Sequence, residues 1–324
     1  VYLKVKKKFN KKNVKILNKL ENQKNYFKKS DITIAAIPGI AGLKPTIELI
    51  KRSKKILIAN KESIICGWNL INKELVKNKT QFIPVDSEHF SIWYALKNNN
   101  DEIKKIYLTA SGGPFINYPI NKLKNIKVSQ AINHPNWRMG KKISIDSATM
   151  INKVFEVIEA KNIFNLSYKD ISILTHPTSY IHSLINFKNG LVKIIAHSTD
   201  MAIPIFNSME ENIKPNFPSK EIDFKKLNKL DLKKINKKRF PVTKIINMLS
   251  NNQSLFETVI VSANDELVKL FLNKEIKFTE ISTKLLQLLK YKEFTKFKRY
   301  KAKNVDQIKK LNNYVRLKIN PKSI

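Results

Sequence analysis

Strand-like and helix-like segments alternate near the start of the chain, and this alternation constrains its fold more than any other feature. Residues 32–36 form an apolar run that ends at Pro38 and Gly39, and residues 56–59 form a second one. Residues 43–53, between them, have the spacing of apolar side chains that is typical of an amphipathic helix. Strand, helix and strand joined by short glycine-containing turns indicate a doubly wound parallel sheet. We therefore predict an α/β fold for this part of the chain.

Polar side chains follow the second of these strands. Asn60, Lys61 and Glu62 come directly after the apolar run. In open α/β sheets, ligands bind at the carboxyl ends of the strands. The three residues are therefore candidates for ligand contacts, and the alternative is that they form a solvated turn.

Two acidic residues follow the next apolar run, residues 82–85. Asp86 and Glu88 lie where the strand gives way to a helix, which the pattern places from about Phe90 onward. Two carboxylates at a strand end, joined by a third from elsewhere, suit Mg²⁺ or Mn²⁺, because these ions prefer oxygen ligands. The alternative is that Asp86 and Ser87 cap the helix, which is a common role for Asp and Ser.

A glycine pair follows a further strand. Residues 106–108 are strand-like, and Ser111, Gly112 and Gly113 come soon after them. The chain has only seven glycines, so two adjacent ones specify a sharp backbone path. Backbone N–H groups and a serine hydroxyl in such a turn can bind an oxyanion. The alternative is an ordinary turn before Pro114.

The segment from His134 to Ala160 runs from a loop into a helix and carries a dense set of polar side chains. Its apolar residues are enough to hold the helix against a core. Asn152, Lys153, Glu156 and Glu159 lie three or four residues apart, so they share one stripe of the helix. An amide, a cation and carboxylates together suit a ligand that carries a phosphate and a metal ion. The alternative is an exposed helix face with one Lys–Glu pair.

Taken together, these segments resemble 1-deoxy-D-xylulose 5-phosphate reductoisomerase. The motifs that carry the resemblance are, in chain order, ANKES, PVDSEH, TASGGPF, HPNWRMGKKISIDSATMINK and HPTSYIHS. The resemblance extends from about Asp31 through Glu266 and into the C-terminal helices, and the joint occurrence of the motifs is highly specific. It implies a homodimeric enzyme of the non-mevalonate isoprenoid pathway. Such an enzyme rearranges 1-deoxy-D-xylulose 5-phosphate with a divalent metal ion and reduces the product with NADPH, giving 2-C-methyl-D-erythritol 4-phosphate.

The resemblance also implies roles for individual residues. The metal ion, Mg²⁺ or Mn²⁺, is held by Asp86, Glu88 and Glu156. The implied contacts of NADPH are Asn60, Glu62 and Gly140. The implied catalytic residues are Lys61, Glu88 and His134.

A larger set is implied to contact the substrate. Its members are Lys61, Ser87, Glu88, Ser111, His134, Trp137, Ser147, Asn152, Lys153 and Glu156. The phosphate is bound by Ser111, Ser147, Asn152 and Lys153, and Trp137 closes over the ligand as part of a mobile loop. His176 and His182 lie in the last motif. A histidine on an apolar segment is more often a hydrogen-bonded core residue, so neither is included in the predicted site.

The chain departs from the family in one respect. The family carries a glycine-rich dinucleotide loop of the GxTGxxG kind in its first strand and helix, and this sequence has no such motif. The opening segment VYLKVKKKFNKKNVKIL resembles material already inside the cofactor domain. We therefore expect the first βαβ unit to be missing and NADPH binding to be weak. The alternative function is a non-catalytic remnant that keeps a metal and phosphate site.

Composition argues against other classes of protein. The formal net charge is +35, but the lysines are spread along the whole chain, so we expect weak binding to polyanions and no specific nucleic-acid partner. No run of about 18 apolar residues is present, and no membrane-spanning helix is predicted. The single cysteine, Cys66, is predicted to be buried. It fits a reducing compartment, such as the bacterial cytoplasm or, after loss of a targeting segment, a plastid.

The patterns divide the chain into four parts. Residues 1–85 are predicted to be the remainder of a Rossmann-like NADPH-binding domain, and residues 86–210 an α+β catalytic domain. Residues 211–239, rich in Lys and Asn, are predicted to be a linker. Residues 240–324 have helical periodicity and are predicted to form a C-terminal helical domain, in which leucines 285, 286, 288 and 289 form an apolar core stripe.

Overall fold

The computed structural model describes residues 6, 7, 16, 29–209 and 221–320 of the protein. Strands and helices alternate in its first part, in the order β1 (Ser30–Ala35), α1 (Leu43–Ile50), β2 (Ser53–Ile58), α2 (Lys61–Asn78) and β3 (Gln81–Pro84). The three strands form one parallel sheet in the order β1-β2-β3. The predicted alternation is confirmed. The part of the predicted cofactor domain before Lys29 lies almost entirely outside the described residues.

The central strand of this sheet is apolar on both faces. Ile56, Leu57 and Ile58 are at most 2% exposed, as expected of a parallel strand that is covered on both sides. The parallel register places Ala35, Ile58 and Pro84 side by side. The strands therefore end at one edge of the sheet, and the residues that follow them are brought together there.

A second sheet contains strands of both directions. The elements of this part are α3 (Ser87–Leu96), β4 (Ile103–Ala110), α4 (Val128–Ala131), α5 (Lys141–Thr149), α6 (Ile151–Ile163), β5 (Ile171–Thr175), β6 (Ile181–Phe187), β7 (Val192–Ala196), α7 (Ala202–Met209), α8 (Phe224–Leu227) and β8 (Lys233–Lys234). The strand order is β7-β6-β4-β5-β8. Strands β4 and β5 are parallel, and the other neighbouring pairs are antiparallel. This mixed sheet with its helices agrees with the α+β content predicted for the second part.

Two predicted helix boundaries are wrong. The helix expected from about Phe90 begins at Ser87. The one helix expected in the segment from His134 to Ala160 is two helices, α5 and α6, separated by Met150. Met150 has a φ of 72°, a left-handed conformation that is uncommon outside glycine. Sequence periodicity does not reveal this break, because the apolar spacing continues across it.

The predicted linker is only partly described. Residues 211–220 lie outside the described residues, and residues 221–239 contain α8 and β8. Strand β8 pairs with Leu174 and Thr175 of β5. The described part of this segment therefore adds a short edge strand to the second sheet.

The C-terminal region is helical, as predicted. Its helices are α9 (Phe256–Leu272), α10 (Phe278–Leu288), α11 (Lys292–Thr295) and α12 (Val305–Ile319). Leu285 and Leu289 are fully buried, so the leucine stripe belongs to the core. Helix α9 packs against α2, α5 and α12 and thereby joins the C-terminal helices to both sheets. Residues 321–324 lie outside the described residues.

Shorter helical turns of the 3-10 type complete the described chain. They span Ile40–Gly42, Gly113–Phe115, Ile120–Asn125, Tyr168–Asp170, Pro241–Met248 and Lys296–Arg299. Across residues 29–209 and 221–320, every helix is too short or too polar to cross a membrane.

Candidate active site

A cavity of about 270 Å³ lies where strand ends of the two sheets meet. Ala59 and Lys61 line it after β2, residues 85–88 line it after β3, and residues 109–112 line it at the end of β4. The carboxyl ends of strands are where α/β proteins commonly bind ligands. The position of the cavity therefore follows from the strand register.

All residues predicted to contact the metal ion or the substrate line this cavity. They are Lys61, Asp86, Ser87, Glu88, Ser111, His134, Trp137, Ser147, Asn152, Lys153 and Glu156. The residues predicted to contact the cofactor, Asn60, Glu62 and Gly140, are not among those that line it. The cavity also includes His182 and Met201, which the sequence did not predict.

Three carboxylates converge at the base of the cavity. Asp86, Glu88 and Glu156 each offer an oxygen atom, and these atoms all lie within 4.8 Å of one another. The first two follow β3, whereas the third comes from α6 and is only 1% exposed. Carboxylate oxygens this close can share one divalent cation and leave positions for a ligand.

The carboxylate of Asp86 does not cap the helix that follows it. Asp86 occupies the N-cap position of α3, but its side chain makes no capping hydrogen bond. One oxygen lies 3.6 Å from Lys61 Nζ and the other 3.2 Å from His89 Nδ1. The capping alternative is therefore wrong for this side chain, which is directed toward cationic groups instead.

Two lysine ammonium groups lie among the carboxylates. Lys153 Nζ donates to Glu88 Oε1 at 2.6 Å and also to Glu156 Oε2. Lys61 Nζ donates to Asn152 Oδ1 at 2.6 Å and lies 3.8 Å from Glu156 Oε1. Since Lys153 is 4% exposed and Glu156 1% exposed, the alternative of an exposed helix face is wrong. The carboxylates therefore stabilise the positive charges of two lysine side chains at the place where a metal ion would bind.

The crowding of these groups shifts their protonation. Burial and the neighbouring Glu88 raise the pKa of Glu156 to about 8, against the opposing effect of Lys153. Burial by itself also raises the pKa of Asp86, but Lys61 and His89 outweigh it and hold that pKa well below its usual range. A cation with two positive charges at this position would relieve the repulsion that raises the pKa of Glu156.

The other end of the cavity presents hydrogen-bond donors. His134 Nδ1 accepts from the backbone N–H groups of Asn136 and Trp137, at 3.1 and 3.0 Å. Its proton must therefore be on Nε2, which lies 3.0 Å from Ser111 Oγ and donates to it. Ser111 Oγ also accepts from Gly113 N at 3.1 Å. Because the Ser111 oxygen accepts both of these hydrogen bonds, its hydroxyl hydrogen remains available to donate to an anion in the cavity.

The glycine pair sets the path of the chain beside this serine. Gly112 and Gly113 have φ values of 83° and 64°, so the predicted sharp turn is confirmed. A Cβ atom on Gly113 would lie 2.9 Å from Ala148 Cα and 3.1 Å from Ser147 O. The turn after β4 can therefore approach α5, which carries Ser147, only because residue 113 lacks a side chain.

We expect Gly113→Ala to destabilise the protein by about 2 kcal/mol or more, because it combines a strained φ with a backbone clash. Thermal unfolding followed by circular dichroism measures the effect. Gly140→Ala is the control, since a Cβ there meets no atom within 4 Å and φ is −66°. Equal unfolding midpoints for the two variants would contradict this account of the turn.

His89 and Glu159 complete the site. Glu159 belongs to the predicted polar stripe of the helix, whereas no role was predicted for His89. Asp86, His89 and Glu159 also offer atoms within 4.8 Å of one another. His89 Nε2 lies 2.9 Å from the main-chain oxygen of Glu156, which can only accept, so Nε2 donates. Burial lowers the pKa of His89, but Glu159 and Asp86 outweigh it and raise that pKa to about 9. The ring is thus a buried cation that links the two segments bearing the three converging carboxylates.

The histidines of the last motif have different environments. His182 lines the cavity, stacks on His197 at 3.7 Å and meets the edge of Trp137 at 6.1 Å. His176 is buried and lies 2.9 Å from the Thr178 hydroxyl, as expected of a hydrogen-bonded core residue. Leaving His182 out of the predicted site was therefore an omission, because an apolar strand segment gives no sign of what its buried face meets.

The residues predicted to contact the cofactor lie beside the cavity. Asn60 is 2% exposed, and its side chain accepts from Ser63 N at 2.9 Å and donates to Gly39 O at 2.8 Å. It thereby joins the start of α2 to the turn after β1. Glu62 pairs with Lys142 at 3.0 Å, and Gly140 precedes α5. Their predicted contact with a cofactor stays a prediction.

Comparisons with known proteins all point to one family of enzymes. One family model, described as 1-deoxy-D-xylulose 5-phosphate reductoisomerase, matches residues 1–67. Models of C-terminal domains of the same enzyme match residues 82–164 and 197–318. A 1-deoxy-D-xylulose 5-phosphate reductoisomerase from Pelagibacter ubique is 59% identical over 309 residues, which cover 95% of this chain and 79% of the relative.

The chain belongs to the 1-deoxy-D-xylulose 5-phosphate reductoisomerase family. A member from Clostridium tetani is 38% identical, over 96% of this chain and 82% of the relative. Solved structures of the family have the same fold. The reductoisomerase of Zymomonas mobilis in complex with NADPH has a TM-score of 0.85 at 29% identity, and the match covers 100% of this chain and 84% of that one. A reductoisomerase with fosmidomycin and magnesium has a TM-score of 0.86 at 28% identity, covering 99% and 83%.

Proposed function

We propose that this protein converts 1-deoxy-D-xylulose 5-phosphate to 2-C-methyl-D-erythritol 4-phosphate. The observation that carries the proposal is the convergence of Asp86, Glu88 and Glu156 in the cavity that also contains Ser111 and Lys153. A cluster of carboxylates beside hydrogen-bond donors suits a substrate with adjacent oxygen atoms at one end and a phosphate at the other. Membership of the reductoisomerase family favours this function over a non-catalytic remnant.

The donor set fits a divalent cation. Its three carboxylate oxygens are the ligands that Mg²⁺ and Mn²⁺ prefer, and the ammonium groups of Lys61 and Lys153 already lie against the same carboxylates. Solved relatives contain magnesium. Asp86, Glu88 and Glu156 would hold the ion, which when bound polarises a carbonyl and stabilises negative charge on oxygen.

The other cavity residues bind and enclose the substrate. Ser111 offers its hydroxyl hydrogen to the phosphate, and Lys153 offers an ammonium group from the first turn of α6. The binding energy of the phosphate orients a small substrate and favours closure of the loop that carries His134 and Trp137. Loop closure excludes water from the reacting end, near Lys61.

The cofactor supplies the hydride when it is bound, and a solved relative contains NADPH. We propose that it lies at the carboxyl edge of the first sheet, near Glu62 and Gly140. The Asn60 side chain is engaged in internal hydrogen bonds. Its contribution would be to present the backbone of the turn after β1 to the cofactor.

Calorimetric titration with fosmidomycin, the ligand of solved relatives, tests the proposed function. Fosmidomycin carries a phosphonate and a hydroxamate, so it needs both the anion donors and the metal ion. We expect binding with Mg²⁺ that is at least about 100-fold tighter than binding in EDTA. A folded sample that binds the ligand equally with and without metal, or not at all, would refute the proposal.

We further expect metal binding to weaken as the pH falls. The pKa of Glu156 is raised to about 8, and the metal requires the carboxylate, so below that pH a proton must leave when the metal binds. The Kd for Mg²⁺ should rise by up to about tenfold per pH unit below pH 8 and be constant above it. Titrations in buffers with different ionisation enthalpies should detect release of up to one proton. A Kd that does not vary between about pH 6.5 and about pH 9 would contradict this assignment.

We also propose that two copies of the chain form a homodimer through the edge of the second sheet. Strand β7 lies at that edge, and its Val192 and Ile194 are 53% and 46% exposed. An exposed apolar edge strand favours pairing with another chain. A second copy of the chain is the proposed partner, because a two-fold axis brings the same strand of the two copies together and buries the apolar side chains of both.

Light scattering coupled to size-exclusion chromatography tests the dimer. We expect the wild type to have twice the chain mass of 37.6 kDa and Ile194→Lys to be monomeric. Val76→Lys is the control, because Val76 is 73% exposed on α2, away from this edge. A monomeric wild type, or an Ile194→Lys variant that stays dimeric, would exclude this interface.

A further inference from the structure

A second charged cluster lies beside the candidate active site, around Lys142. This residue is in the first turn of α5, directly after the loop that carries His134 and Trp137. Its Nζ atom lies 3.0 Å from Glu62 Oε1, 3.1 Å from Asp146 Oδ2 and 2.9 Å from Asp265 Oδ1. These carboxylates belong to α2, α5 and α9, so one ammonium group joins three helices.

The cluster continues into the C-terminal helices. Asp265 also pairs with Arg316 Nη2 of α12 at 3.0 Å. Asp146, which Lys142 contacts, accepts from Asn264 Nδ2 of α9 at 2.8 Å. Helix α5 is therefore bonded at two points to α9, and α9 is bonded in turn to α12.

The carboxylates of this cluster are buried, whereas the side chain of Lys142 is 35% exposed. The side chains of Asp146, Asp265 and Glu62 are 2%, 11% and 12% exposed. Although burial alone would lower the pKa of Lys142, the three carboxylates outweigh it and raise that pKa. The buried carboxylates depend on Lys142 as a cationic partner, and the partial exposure of Lys142 weakens each single pair through screening by water.

Two parts of the proposed active site meet at this cluster. The first is Glu62, a proposed cofactor contact that directly follows Lys61 of the cavity. The second is the base of the closing loop, where Gly140 precedes α5. Helix α5 also carries Ser147 of the proposed phosphate site. Asp265 of α9 contacts Lys142 from outside the cavity. The C-terminal helices can therefore hold Glu62 and the base of the loop in place without contacting a ligand.

We propose that Lys142 is a positioning residue that holds the base of the 134–140 loop and Glu62 in register against Asp265 of the C-terminal helices. This inference rests on the proposed function, since the loop is taken to close over the substrate. Lys142 itself contacts neither metal nor phosphate. Its loss should therefore weaken ligand binding that needs loop closure and leave binding of the metal ion alone unchanged.

The test compares Lys142→Met, Lys142→Arg and the control Lys141→Met, whose lysine is the exposed neighbour in the sequence. We expect Lys142→Met to raise the Kd of fosmidomycin with Mg²⁺ about tenfold and to change the Kd of Mg²⁺ alone by less than about twofold. Lys142→Arg keeps the charge and should restore fosmidomycin binding to within about threefold of wild type. Lys141→Met should match the wild type.

Hydrogen–deuterium exchange of the unliganded proteins provides a second readout. Lys142→Met should accelerate exchange in residues 133–146 and 61–66 and leave the peptides of α10 unchanged. If Lys142→Met does not fold, Asp265→Asn takes its place with the same expectations. Unchanged exchange, exchange that rises uniformly, or parallel loss of metal and fosmidomycin binding would overturn the proposal.

The two proposals can fail separately. A wild type that does not bind fosmidomycin with Mg²⁺ refutes the proposed function. The exchange pattern of the unliganded variants still decides whether Lys142 holds the loop base and the start of α2 together.

Discussion

Replacing Glu156 by glutamine should abolish the metal-dependent part of fosmidomycin binding. Glu156 is the member of the carboxylate set that comes from α6, and it is 1% exposed. Glutamine keeps the size of the side chain but removes the negative charge that a divalent cation requires. We expect affinity in the presence of Mg²⁺ to fall by at least about 100-fold, to the level found in EDTA. Calorimetry with and without metal measures this loss.

The fold should survive this substitution. Burial and Glu88 raise the pKa of Glu156 to about 8 and so disfavour its charge, and a neutral amide of the same size should therefore be tolerated at this position. Glu257→Gln is the matched control, since Glu257 is also buried but lies in α9, and it should bind fosmidomycin like the wild type. If Glu156→Gln retains metal-dependent binding, the carboxylate assignment is wrong.

Replacing Lys153 by methionine should change two affinities in opposite directions. The Lys153 ammonium group bonds to both Glu88 and Glu156, so it competes with a divalent ion for the same oxygens. Without it, Mg²⁺ alone should bind about tenfold more tightly. Fosmidomycin in saturating Mg²⁺ should bind about 100-fold more weakly, because its phosphonate loses a charged partner. Separate titrations with Mg²⁺ and with fosmidomycin measure the two effects.

These opposite changes follow from an exchange of partners. In the structure Lys153 pairs with Glu88 and Glu156, and we expect binding of the metal ion to release it toward the phosphate group of the ligand. Lys161→Met, on the same helix but part-exposed, is the control and should alter neither affinity. A Lys153→Met variant in which both affinities fall together would contradict the exchange.

The sequence predicted those parts of the fold that depend on local patterns. The strands of the first sheet are apolar runs and the C-terminal helices have periodic apolar spacing, so both were predictable as elements. The apolar run of β1 did not predict burial, because Ile32 and Ile34 are 39% and 48% exposed. Met150 illustrates the limit. Its left-handed conformation divides α5 from α6, and tertiary packing imposes it against the local preference of the residue.

The candidate site was predicted where its members follow strand ends or share one helix stripe. Asp86 and Glu88 are close in sequence, and Lys153 and Glu156 are one helical turn apart, so their proximity needs no knowledge of the fold. The partners of Lys142 could not be predicted in this way. Glu62 and Asp265 meet it only because α9 packs against both α2 and α5.

His89 shows the same limit in the site itself. It lies three residues after Asp86, and this spacing correctly suggests that the two side chains meet. Its second contact, with the main chain of Glu156, depends on how α3 packs against α6. No local pattern contains that information.

An anomalous diffraction map of crystals soaked in Mn²⁺ would locate the proposed metal ion. We expect one strong peak at about 2.2 Å from carboxylate oxygens of Asp86, Glu88 and Glu156, with Lys153 moved away from Glu88. A peak elsewhere on the protein, or a fully soaked crystal with these three carboxylates still bonded to lysine, would contradict the proposed metal site.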